Sequence, residues 1–122
     1  MMPRALWLPY AVADLDAATR FYTEQLDLAP VDGWDRPGER GVVLRAADAA
    51  YVELVSGPAL GGPVGGGDPA ALLAFELTDR AAVNAAHVRA GRPPAPRVFP
   101  RGHRGFPLAG PAGARLLIWS ES

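Results

Sequence analysis

The sequence predicts an α+β protein in which a strand, a capped helix and a group of short strands occur twice. Three observations carry that reading. Each half of the chain opens on alternating apolar residues: Leu6, Leu8, Tyr10 and Val12 in the first, Leu73, Phe75 and Leu77 in the second. An aspartate, Asp14 or Asp79, follows each of these and begins a stretch of helical periodicity. Between the halves, residues 57–69 contain six glycines and three prolines, a composition that breaks regular structure and reads as a linker.

In the first strand, Leu6, Leu8, Tyr10 and Val12 form an apolar face suited to packing on a helix, and Trp7, Pro9 and Ala11 form the other face. Asp14 is placed to cap a helix, and Asp16 lies in its first turn, where the helix dipole favours a negative charge. Leu15, Ala18, Phe21, Tyr22 and Leu26 recur at helical spacing and give an apolar stripe. The helix must stop by Pro30, and an irregular loop holding Trp34, Pro37 and Gly38 is expected next. Strands are expected over 41–45 and 50–55, joined by a hairpin turn at 46–49. After the linker, a helix is expected over 80–90, ended by Gly91. Extended stretches follow at 97–99, 104–108 and 114–119. The expected organisation is one domain over 1–122, with module 1 at about 4–56, a linker at 57–69 and module 2 at about 70–122.

Composition narrows the function. The chain has 122 residues and a formal charge of −1, without the basic face a nucleic-acid binder needs. Cysteine is absent, which excludes disulfides, thiolate metal sites and a cysteine nucleophile. No run of about 18 apolar residues is present to span a membrane. The N-terminus lacks a signal-peptide pattern, so a cytoplasmic location is expected. Every basic residue is arginine, and alanine, glycine and proline are abundant, which suggests a GC-rich bacterial genome. The 61–67 glycine run has no Lys-Ser/Thr and no strand-to-helix context, and so is no phosphate loop.

The phrase Val12-Ala13-Asp14-Leu15-Asp16-Ala17-Ala18 followed by Phe21-Tyr22, with the closing Gly110-Pro111-Ala112-Gly113, resembles the vicinal-oxygen-chelate superfamily of glyoxalases, extradiol dioxygenases and bleomycin-resistance proteins. The last turn departs from that family's pattern by having glycine where it has aspartate. The resemblance implies paired βαβββ modules whose curled mixed sheets surround a cleft. It also implies four inward-facing positions that hold a metal ion in metal-dependent members. Carried over, they fall on Trp7, Glu53, Leu72 and Leu117, of which only Glu53 can coordinate a cation. No metal and no cofactor are therefore expected, as in the branch of the family that sequesters antibiotics without altering them.

On this reading the positions around the lost metal form a ligand site. Trp7, Trp34, Tyr51, Leu72, Leu117 and Trp119 would supply apolar and aromatic surface, and Glu53, Glu76, His103, Arg104 and Arg115 the polar groups. Indole and phenol faces suit flat aromatic or cationic ligands. The leading expectation is a homodimeric, metal-independent binder of an aromatic or cationic antibiotic or metabolite. Two alternatives stay open. One is a metal-independent enzyme with Glu53 as general base and His103 or Arg104 as its partner. The other is a degenerate family member with a structural or regulatory role. The same residues also have plainer readings: Trp7 as core filling, Glu53 paired with an arginine such as Arg115, His87 on a helix surface, and Arg97, Arg101 and Arg104 along a solvated edge.

Overall fold

Both helices begin where an aspartate can cap them. Asp14 lies in extended backbone, and its carboxylate accepts a hydrogen bond from the Ala17 N–H at 3.0 Å. Asp79 does the same for the Ala82 N–H at 2.9 Å. Each cap satisfies a donor the helix cannot, for about 1 kcal/mol. In the computed structural model, which describes residues 2–57, 72–100 and 102–122, helix α1 spans Leu15–Leu26 and α2 spans Arg80–Arg89. α1 ends where Asp27 turns left-handed, φ 57°, and sends the chain into the next strand. All of the linker expected at 57–69 except Gly57 lies outside the described residues.

The chain divides into two compact units, Met1–Asp68 and Pro69–Ser122. Four strands of the first, β1 (Leu6–Ala11), β2 (Ala29–Arg36), β3 (Glu39–Ala47) and β4 (Ala50–Ser56), form a mixed sheet in the order β1-β4-β3-β2. The second contains β5 (Leu72–Glu76), β6 (Arg97–Val98), β7 (Arg104–Ala109) and β8 (Arg115–Ser120), in the order β5-β8-β7-β6. The two orders are the same pattern repeated. In each unit the first strand pairs in parallel with the last, and the remaining pairs are antiparallel. These are two βαβββ modules, neither closed into a barrel.

One helix serves each sheet, and most of each core lies on the helix face, with Val43 and Val55 buried on the other face of the first sheet. In the first unit, Val52, Leu54 and Leu44 are buried together with Leu15, Ala18 and Tyr22 of α1. In the second, Phe106, Leu116 and Ile118 are buried together with Val83 and Ala86 of α2. The first core holds one polar pair: the hydroxyls of Tyr10 and Tyr22 meet at 2.6 Å, with the side chains 4% and 0% exposed. That bond satisfies two groups that would otherwise be desolvated at a cost of about 1–3 kcal/mol each. Burial raises both phenol pKa values above the usual 10.0.

The structure corrects several expectations. Residues 29–36, expected as a loop, form β2, and Trp34 is a strand residue. Proline, glycine and two aspartates make this stretch a poor strand on propensity, but β2 is an outer strand. There Pro30 needs no ladder N–H, and a register shift between Pro30 and Asp32 absorbs the irregularity. Leu6 and Leu8, expected under α1, are 75% and 37% exposed, whereas Tyr10 and Val12 are buried. The reason is position, since β1 lies outermost and α1 packs chiefly on β3 and β4. His87 is not a free surface residue. It is half-buried, its Nε2 donates to the Pro93 carbonyl at 2.6 Å, and its ring meets Phe106 edge-on.

The tyrosine pair gives a pH test with a definite sign. Both groups ionise less readily when folded, so their stabilisation is complete below pH 10 and is lost as pH rises above it, where the unfolded chain releases its protons first. Urea unfolding should show stability falling above about pH 10. Tyr22→Phe should cost about 1–2 kcal/mol at neutral pH and flatten that alkaline decline.

Candidate functional site

Residues paired across a ladder point to the same side of a sheet, so the register fixes what the helix-free faces display. On the first sheet three successive rungs cross this face. Trp7, Tyr51 and Arg45 form one, and Pro9, Glu53, Val43 and Asp32 the next. Ala11, Val55, Gly41 and Trp34 form the third. The rings of Trp7 and Tyr51 stack with centroids 4.5 Å apart and planes at 30°. Trp7 is still 47% exposed and Tyr51 is half-buried, so one side of this aromatic pair meets solvent. Glu53, one rung on, is half-buried and makes no hydrogen bond or ion pair among the described residues.

Trp34 closes the far side of that face. Its Nε1 donates to Glu39 Oε1 at 2.8 Å, and its ring lies over Gly41, where any Cβ would collide with it. The indole is therefore held by its own hairpin and is no loop residue. Behind this hairpin, Arg40 reaches both Asp16 of α1 and Asp35 of β2, at 3.4 and 3.7 Å.

The helix-free face of the second sheet has the same rungs with other chemistry. Leu72, Arg115 and Ala109 share the first, and Ala74, Leu117 and Pro107 the second. Glu76, Trp119, Gly105 and Arg97 share the third. His103 stacks on Phe99 at 4.9 Å and meets Trp119 edge-on at 5.2 Å, while the Arg97 guanidinium lies 4.9 Å above Phe99. Three of the predicted residues, Glu76, Trp119 and His103, thus belong to or border one end of this face. Arg104 pairs with Ser120 and so points to the helix side, away from that group. It is half-buried, and its Nε has no hydrogen-bond partner. Arg101 lies outside the described residues. Glu53 and His103, the pair expected of an enzyme, belong to different units, as do Glu53 and Arg115.

No family model matches the chain, and no curated protein matches it. Solved structures do. A glyoxalase/bleomycin resistance protein/dioxygenase superfamily member from Sphaerobacter thermophilus superposes with a TM-score of 0.73 at 20% identity, over 99% of each chain. A putative glyoxalase/fosfomycin resistance protein from Bacillus subtilis gives 0.71 at 19% identity, over 98% of this chain and 90% of its own. A lactoylglutathione lyase from Agrobacterium tumefaciens gives 0.70 at 21% identity, over 98% and 96%. The chain has the glyoxalase/bleomycin resistance fold.

With that fold in hand, the four metal-binding positions implied by the resemblance can be tested on the register. Trp7 and Glu53 lie on adjoining rungs of β1 and β4. Leu72 and Leu117 occupy the corresponding rungs of β5 and β8. The donor set does not fit a divalent transition metal. An indole and two isobutyl groups offer no electron pair suited to the ion, and one carboxylate falls short of the three protein ligands such sites use. Among the described residues no group of three His, Asp or Glu side chains could hold a metal ion.

Charge is the feature the sequence reading missed. The first unit has five arginines against ten carboxylates, and the second has seven against three, for formal charges of −5 and +4. The whole-chain value of −1 conceals this split, which counting by module would have found.

Gly41 offers a direct check on the first face. Gly41→Ala should expel the Trp34 ring, lose its bond to Glu39, and cost about 1–3 kcal/mol in urea unfolding. Tryptophan emission should shift to longer wavelength.

Proposed function

We propose that this protein binds a flat aromatic or cationic small molecule without the help of a metal ion and releases it unchanged. The observation that carries the reading is the exposed Trp7–Tyr51 stack with Glu53 on the adjoining rung. A tryptophan ring left in water forgoes much of its burial energy, and a third ring laid on the pair would recover part of it. Glu53 supplies a charge without a partner among the described residues, suited to a cationic substituent. The excess of carboxylates in the first unit favours the same sign of ligand. Solved structures of this fold include proteins named for bleomycin resistance and one named as a lyase. Sequestration is the reading in which Glu53 needs no catalytic partner.

The outer strand β1, with Leu6 and Leu8 exposed beside Trp7, also leaves an edge that a second copy can cover, and a homodimer belongs to this proposal. Light scattering at micromolar concentration should give twice the chain mass, and a monomer removes that part.

Titration with acriflavine and with glycopeptide antibiotics should quench tryptophan emission saturably. Trp7→Ala should weaken binding about tenfold and Glu53→Gln about threefold, with the ligand recovered intact by mass spectrometry. Turnover of the ligand, lost in Glu53→Gln, would replace this reading with an enzymatic one. Protein dialysed against zinc, nickel or manganese should retain well under one equivalent, and a stoichiometric ion would overturn the metal-independent reading.

A further inference from the structure

The second unit holds a groove with a different chemistry. Its volume is about 520 Å³, within the range of ligand pockets, and it opens to solvent. Leu72, Leu108 and Leu116 line it together with Pro93 and Pro94 from the segment after α2, and Arg115 is its single charged group. Leu72 is 54% exposed. The prolines are held in place from behind, because His87 Nε2 donates to the Pro93 carbonyl and anchors this segment to α2.

Arg115 is the informative residue. Its neighbours across the ladder are Leu72 and Ala109, both apolar, and its guanidinium has no hydrogen bond or ion pair among the described residues. Arg40 in the first unit shows the contrast, since two aspartates flank it. The second unit has three carboxylates with which to neutralise seven arginines. Of these, Asp79 is engaged in capping α2, Glu121 has an interaction of its own, and Glu76 lies four residues along β5 from the rung of Arg115. At about 3.3 Å per strand residue, that puts Glu76 on the order of 13 Å away along the sheet.

We infer that this groove binds an apolar carboxylate, with its hydrocarbon body against Leu72, Pro107, Leu108 and the two prolines and its carboxylate paired to Arg115. Guanidinium and carboxylate match as two parallel hydrogen bonds, and beside an apolar wall such a pair is less hydrated than in open water. The positive excess of the unit selects the same charge from solution. This site lies wholly within the second unit and does not depend on the Trp7–Tyr51 face.

The test uses the whole chain and two probes with one hydrocarbon body, cyclohexanebutyrate and cyclohexanebutanol. Amide resonances are followed by heteronuclear NMR during titration. Cyclohexanebutyrate should shift the amides of Leu72, Leu108, Ala109 and Arg115 saturably, and the alcohol should bind at least about fivefold more weakly. Arg115→Gln should reduce carboxylate affinity to that of the alcohol, Arg115→Lys should keep part of it, and Trp7→Ala should leave it unchanged. Equal affinity for the two probes, undiminished binding by Arg115→Gln, or no saturation by millimolar carboxylate would overturn the inference. Loss of binding in Trp7→Ala would overturn it as well, by moving the carboxylate to the first unit.

Discussion

A four-stranded sheet has two faces, and this protein gives each sheet one helix. That constraint governs the rest. The helix face of each sheet carries the buried core, in which Leu44, Leu54 and Tyr22 in one unit and Phe106, Ile118 and Val83 in the other are fully excluded from water. The opposite face has no helix to satisfy, and apart from Val43 and Val55 its side chains are less committed to the core. Trp7 remains half in solvent there, and Leu72 more than half. Side chains on such a face can change without undoing the core, which lets one fold carry several chemistries.

The two units show how far that freedom extends. Equivalent rungs hold Trp7 and Tyr51 in one sheet and Leu72 and Arg115 in the other. The next rungs hold Glu53 in one and Leu117 in the other. Backbone pairing repeats while the side chains at these rungs change, from Trp7, Tyr51 and Glu53 to Leu72, Arg115 and Leu117. The charge totals of the units follow the same division, which a chain-wide average hides.

Much of this was legible in the residues. The helix caps at Asp14 and Asp79, the alternation in β1 and β5, and the duplicated order all rest on short-range rules that hold wherever the segment is placed. β2 was not legible, because a run of proline, glycine and aspartate becomes a strand only when β3 offers a partner and solvent takes the unpaired edge. Leu6 and Leu8 were misread for a related reason. Alternation identifies a shared face, but whether that face is covered depends on where a helix lies across the sheet. His87 looked like a surface residue because Pro93 and Phe106, which hold it, come from the following loop and from β7.

The sequence by itself determined the caps and the two-fold recurrence of one module, since identity and spacing are properties of the chain. Tertiary structure alone decided which aromatic rings touch, which apolar residues stay wet, and that Arg115 borders a groove with no ion-pair partner among the described residues. Those outcomes depend on strand order and helix placement, which join residues far apart in the chain and follow from no local rule.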